Sequence, residues 1–201
     1  MIPVPRESEQ VSAAADVVAA VDRTLALDDA SHWALRARDG DPVAQAAFVR
    51  ATQTEVWRFA AALVDRDSAD DLVQETYLRA FRALPAFEGR SSARTWLLGI
   101  ARRACADHLR TVVRRRRLDE RLAVAAHTDH PYPDPAGQLG ATDLLRRLPA
   151  ERREAFVLTQ VLGLSYAEAA AVEGVPVGTI RSRVARARAE LVEAVGDALA
   201  S

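Results

Sequence analysis

The chain contains no lysine. All 27 of its basic side chains other than histidine are arginine, a bias that a GC-rich coding genome explains without any functional reason. Cys105 is the single cysteine, so no intramolecular disulfide can form. Aromatic residues make up only 5% of the chain, so its cores must be built from small aliphatic side chains. No apolar run is long enough to span a membrane. The opening MIPVPRESEQ lacks the charged-then-apolar layout of a secretory signal. These features place the protein in a cytosol, without membrane insertion.

Chemistry-bearing patterns are also missing. There is no Walker loop, no glycine-rich nucleotide fingerprint and no nucleophile elbow. The four histidines, His32, His108, His127 and His130, show no metal-ligand spacing. The His127-x-x-His130 pair lies in a proline-rich stretch with no cysteine or acid cluster to complete four ligands. The expectation is a protein with no catalytic residues, no metal and no cofactor. Cys105 falls near the inner face of a helix, where a thiol is inert.

Hydrophobic residues account for 49% of the chain, with alanine dominant, and the formal net charge is −1. That near-neutral total conceals strong segregation. Between Arg90 and Arg117 there are nine arginines and one acid, Asp107. Between Asp65 and Glu75 there are five acids and one arginine. Pro176–Leu191 carries four arginines against Glu190. Two basic patches and an acidic one suggest contacts with nucleic acid and with a basic partner surface.

Helical periodicity runs through most of the chain and no useful strand alternation occurs, so the fold class is all-α. The spacing predicts two small helical domains joined by a flexible linker. Residues 1–30 form an acidic, alanine-rich tail. Residues 31–111 form the first domain: a short helix Trp33–Arg38, a helix opened by Asp41-Pro42 and running to about Val64 on the stripe Phe48, Val56, Phe59 and Leu63, and a third helix capped by Asp67 or Ser68 and stopped by Pro85. Asp70 and Asp71 are expected in the first turn of that third helix, where the dipole favours acids. Ser92 opens a fourth helix lined by Trp96, Ile100, Ala104 and His108. Helical order is expected to fail over Val112–Gly140, the linker, where Pro131, Pro133 and Pro135 alternate. Residues 141–201 form the second domain.

The most informative stretch is Leu164–Leu191. Ser165 and Glu168 have the spacing of a capping box, Gly174 suits a left-handed helix end and Pro176 suits the first turn of the next helix. Ile180, Val184, Ala187 and Leu191 share one apolar face. Arg181, Ser182, Ala185 and Arg186 fall on the opposite face. The pattern is a helix–turn–helix whose second helix has a small, basic front that a major groove admits.

Three blocks together resemble the extracytoplasmic-function group of the sigma-70 family. DRDSADDLVQETYLRAFRALPAF, residues 65–87, is similar to conserved region 2.2. RSSARTWLLGIARRACADHLR, residues 90–110, is similar to regions 2.3 and 2.4. Residues 148–188 are similar to region 4. The resemblance implies an alternative sigma factor that binds RNA polymerase core through the β′ clamp helices and the β subunit and recognises −10 and −35 promoter DNA. It implies core docking by Asp70, Asp71, Gln74 and Glu75, with Leu72 and Tyr77 as packing. It assigns −10 recognition to Phe87, Arg90, Ser91, Ser92, Arg94 and Arg103, on DNA whose bases have left the stack. Relatives often carry a polar, uncharged residue at the position of Arg103. Trp96 falls on the packing stripe instead. The −35 element would meet Thr179, Arg181, Ser182, Ala185 and Arg186; Ala185 replaces a bulky aromatic found in some relatives. Arg183 and Arg188, flanking the apolar face, are expected to hold phosphates or be solvated. Control by an anti-sigma factor is common in this family, and no residue points to one.

Two other classes are weighed against this reading. A stand-alone helix–turn–helix regulator, a dimer, would bind a palindromic operator without polymerase, but it leaves the acidic helix unexplained and offers no obvious dimer helix. A nucleotide-processing enzyme has no residue constellation to support it.

Overall fold

A computed structural model describes residues 29–126 and 141–200. Every regular element among the described residues is helical. The N-terminal tail, apart from residues 29 and 30, lies outside the described residues, as do the prolines of the linker, His127 and His130. No helix among the described residues is long and apolar enough to cross a membrane.

Helix α1 covers residues 29–38 and ends at Asp39-Gly40. Asp41 caps α2 (Pro42–Leu63): its Oδ1 accepts from the N–H groups of Val43 (2.9 Å) and Ala44 (3.2 Å). The expected stripe of α2 is buried, with Phe48, Val56, Phe59 and Leu63 all inside. Thr52 interrupts it with a hydroxyl, which is satisfied by donating to the Phe48 carbonyl at 2.7 Å.

Helix α3 (Arg66–Ala83) starts earlier than its sequence pattern suggests. The cap is Asp65, not Asp67 or Ser68: its Oδ1 accepts from the Ser68 N–H at 2.8 Å and its Oδ2 from the Ser68 hydroxyl at 2.9 Å. This shift moves Asp70 and Asp71 out of the first turn, beyond the range over which the helix dipole acts. Leu72 and Tyr77 are buried, as expected of packing residues. Pro85 ends the helix within a short 3-10 turn, Leu84–Ala86.

Helix α4 (Ala93–Ala126) continues well past the point where the sequence reading ends helical order. The physical reason is local. Residues 112–126 contain no proline or glycine and are mostly arginine, alanine and leucine, all strong helix formers. Leu97, Ala101, Ala104 and Cys105 are buried along α4, whereas Trp96 is only half-buried. Burial pushes the Cys105 thiol up to about 12, which keeps it protonated and unreactive.

The described residues fall into two compact units. One takes the described residues up to Thr52 together with Phe81–Arg94. Within it α1 anchors the loop between the 3-10 turn and α4 at both ends. The Ser31 hydroxyl accepts from the Ala93 N–H at 3.0 Å, and Arg38 donates to the Phe87 carbonyl at 3.4 Å. The other unit takes Gln53–Ala80 and the described residues from Thr95 onward. It contains α5 (Ala141–Arg147), α6 (Ala150–Phe156), α7 (Tyr166–Glu173) and α8 (Val177–Ala200). After Phe156 the α6 coil widens into a π-turn, Val157–Val161.

Candidate nucleic-acid interface

The helix–turn–helix is assembled by local chemistry that the sequence displays. The capping box at the head of α7 is complete: the Glu168 N–H donates to the Ser165 hydroxyl, and the Glu168 carboxylate accepts from the Ser165 N–H at 2.8 Å. Gly174 ends α7 at φ 69, a left-handed conformation that costs a residue with a Cβ. Pro176 lies one residue before α8 rather than inside it. Its carbonyl accepts the first helical bond, from the Thr179 N–H at 2.9 Å.

Helix α8 divides as expected. Ile180, Val184 and Ala187 are buried at 0–1% exposure, and Leu191 is half-buried. Arg181, Ser182, Ala185 and Arg186 are exposed, with Thr179 half-buried beside them. Ser182 turns its hydroxyl onto the Thr179 carbonyl at 2.9 Å. Arg181 and Arg186 have no ion pair or hydrogen-bonded side-chain partner among the described residues.

Of the remaining two arginines, Arg183 departs from expectation and Arg188 does not. Arg183 pairs with the Glu173 carboxylate, at the end of α7, and with Glu151 of α6 at 2.6 Å. Arg188 donates to the Gln160 side chain at 2.6 Å. Arg183 is thus drawn in against its neighbours, with only 17% of its side chain exposed, whereas Arg188 stays exposed on the surface. Their spacing on α8 reveals the flank they occupy, but nothing local in the sequence marks Glu173, Glu151 and Gln160 as their partners.

The second basic element is the loop before α4. Arg90 and Ser91 are exposed, Ser92 and Arg94 half-buried. Arg90 makes one surface pair, with Glu88 at 3.2 Å. Phe87 is 4% exposed, so its ring anchors the loop in the core rather than standing on the DNA face. Arg103 is exposed, but it lies nine residues beyond Arg94 on the same helix, about half a rotation away, so the two leave opposite sides of α4. The sequence reading missed α1 as the brace of this loop, because a contact between Ser31 and Ala93, 62 residues apart, leaves no local signal.

The acidic element is one stripe of α3. Asp70, Asp71, Gln74 and Glu75 repeat at i, i+1, i+4 and i+5 and lie on its outer side, the first three exposed and Glu75 half-buried. Asp70 accepts from the Trp57 indole N–H at 2.8 Å, and the Arg66 guanidinium stands 5.6 Å from the same ring. Glu75 accepts from Arg79 at 2.7 Å, and Arg79 reaches on to Asp107 of α4, also at 2.7 Å. Asp107 and then Glu75 hold the Arg79 guanidinium above its ordinary pKa. Asp71 and Gln74 have no such partner among the described residues.

A free basic helix face, a basic loop and an acidic helix stripe on an all-α frame define, as a class, a DNA-binding transcription protein that also docks on another macromolecule. Comparison with known proteins makes the class specific. Residues 48–116 match the family model "Sigma-70 region 2", and residues 139–191 match "Sigma-70, region 4". The chain is 53% identical over 165 residues to the ECF RNA polymerase sigma factor SigC of Mycobacterium tuberculosis, covering 79% of this chain and 87% of that one. It is 40% identical over 128 residues to EcfG of Rhodopseudomonas palustris, covering 62% and 70%. Among solved structures it is similar to CnrH in complex with the cytosolic domain of CnrY, with a TM-score of 0.64 and 28% identity over 85% of this chain and 99% of that one. It is also similar to the sigma factor RpoE of Bartonella quintana in complex with the anti-sigma factor NepR, with a TM-score of 0.54 and 32% identity over 70% and 89%. The chain belongs to the extracytoplasmic-function sigma factors of the sigma-70 family. It is an alternative sigma factor, which binds RNA polymerase core and directs promoter-specific initiation through −10 and −35 recognition.

Proposed function

We propose that this sigma factor divides its work among the three elements described above. Residues 31–111 serve as the region 2 domain and residues 141–201 as the region 4 domain. The outer stripe of α3, led by Asp71 and Gln74 with Asp70 and Glu75 beside them, docks on the polymerase core. The loop residues Arg90, Ser91 and Ser92, with Arg94, meet the opened −10 DNA, while Phe87 holds that loop in shape. Arg103 serves as a phosphate contact on the other side of α4. Thr179, Arg181, Ser182, Ala185 and Arg186 meet the −35 duplex, with the two arginines suited to guanine edges or phosphates. The protein acts in the cytoplasm as a specificity subunit and has no catalysis of its own.

One observation carries this reading. Arg181 and Arg186 stand on the exposed face of α8 with no partner among the described residues, opposite a face whose Ile180, Val184 and Ala187 are buried. An inhibitor belongs to the reading too. RpoE is solved with the anti-sigma factor NepR, and CnrH with the cytosolic domain of CnrY.

The test is run-off transcription with core polymerase from a GC-rich bacterium on a pool of genomic promoters, with and without this protein. Discrete new transcripts support the reading and reveal both promoter elements. A chain that neither binds core nor directs transcripts, yet shifts duplex DNA alone, overturns it in favour of a stand-alone regulator.

A further inference from the structure

Two acids and one arginine form a tie that the recognition surface does not use. Glu173 is the last residue of α7, immediately before the left-handed Gly174. Its side chain is 0% exposed, and Oε2 is paired with Arg183 while Oε1 is buried without a hydrogen-bond partner among the described residues. The Arg183 side chain is 17% exposed and reaches with its other Nη to Glu151 of α6. One guanidinium on α8 thus grips both helices packed beneath it. By sequence it stands between Ser182 and Arg186, on the turn of α8 that faces DNA in the proposed function.

We propose that Arg183 is a positioning residue: it makes no DNA contact but sets the angle of the recognition helix against α7 and α6 through Glu173 and Glu151. Three observations support this assignment over a phosphate contact. Both ends of the guanidinium fork are already occupied by carboxylates. The side chain is largely buried, whereas Arg181 and Arg186 on the same helix are exposed and free. The partner carboxylate is wholly enclosed, so losing Arg183 would strand a buried charge at the very turn that joins the two helices. Two other ties of α8, Arg152 of α6 with Glu190 and Arg188 with Gln160 of the π-turn, lie one to two turns further along the helix and do not reach α7. The inference rests on the proposed −35 role of α8, and its test separates the two.

The experiment uses the full chain bound to core polymerase and a promoter fragment selected by the wild-type holoenzyme. It measures retention as a function of salt, on that fragment and on the same fragment with its −35 element scrambled. Arg183→Met should weaken retention roughly ten-fold and reduce the preference for the intact −35 element, with the salt dependence unchanged. Adding Glu173→Gln, which replaces the stranded carboxylate by a neutral amide of the same shape, should restore both readouts to within about three-fold. A phosphate contact would instead lower the salt slope by about one, and Glu173→Gln would not rescue it. A merely stabilising residue would lower the amount of active protein and leave the −35 preference of the remainder intact. A double variant that stays weak, or that stays unfolded, overturns the proposal. Arg186→Ala is the control for the underlying reading: it should lose −35 preference with a lower salt slope and gain nothing from Glu173→Gln. If Arg186→Ala leaves −35 preference intact, it is the −35 role of α8 that fails.

Discussion

The acidic stripe of α3 and the basic face of α8 use charge in opposite ways. On α3, two of the four surface groups are partly occupied: Asp70 by the Trp57 indole and Glu75 by Arg79. Both contacts remain partly exposed to water, where an ion pair contributes about 0–1 kcal/mol, so they leave the stripe available to a partner. On α8 the arginines are divided by burial. Arg181 and Arg186 are free and exposed, while Arg183 is committed to a carboxylate that water does not reach. The lesson is that the same residue type on one helix serves recognition or architecture according to what lies beneath it. Breaking an exposed pair costs little, whereas breaking an enclosed one leaves a charge with no solvent to receive it.

The contrast can be broken most forcefully at the back of α8. Ile180 is 0% exposed. Ile180→Ala should destabilise the helix–turn–helix by about 2–5 kcal/mol through lost burial and the cavity left behind. Urea unfolding should show this, and holoenzyme carrying the variant should lose −35-dependent retention while still binding core. Unfolding at the wild-type midpoint would mean that the apolar face does not support the recognition helix.

The next test compares the two surfaces directly. Arg186→Ala should cost about 1–3 kcal/mol of −35 discrimination and leave core binding intact. Asp71→Ala should impair core docking in a polymerase pull-down and leave −35 preference unchanged in whatever holoenzyme forms. If the two substitutions produced the same defect, the two-surface assignment would fail.

A smaller effect is expected at the head of α7. Ser165→Ala removes the capping box and should cost about 1 kcal/mol of stability, seen as a lower urea midpoint. A variant as stable as the wild type would show that the turn, and not the cap, sets where α7 begins.

The smallest effect is a pH dependence in the first unit. The Ala44 N–H holds the Asp41 carboxyl below the ordinary carboxylate range, and the Val43 N–H and the Arg36 guanidinium act in the same direction. Because the folded-state value is depressed, the cap's contribution is present above the unfolded value and is lost as pH falls through the folded one. Stability of the wild type should therefore drop more steeply on acidification than that of Asp41→Asn. Parallel pH profiles would remove Asp41 as a source of the acid response.

Much of the architecture was legible from spacing. The stripe of α2, the capping box, the left-handed Gly174 and the two faces of α8 all follow from residues within a few positions of one another. Among the expectations that moved, three did so for equally physical reasons. Asp65 took the cap of α3 because its carboxylate reaches Ser68. Phe87 went inside because a loop needs an apolar anchor. Helical order outlasted residue 112 because no helix breaker stands before Pro131.

The sequence by itself determined where helices run, which faces of α3 and α8 are acidic, basic or apolar, and to which family the chain's motifs point. All of these are properties of local periodicity and side-chain chemistry. Only the tertiary structure decided which charges remain free for a partner. Arg183 meets Glu173 across 10 residues and Glu151 across 32, and Ser31 meets Ala93 across 62. Pairing at those separations depends on how helices pack, which no short window of sequence contains.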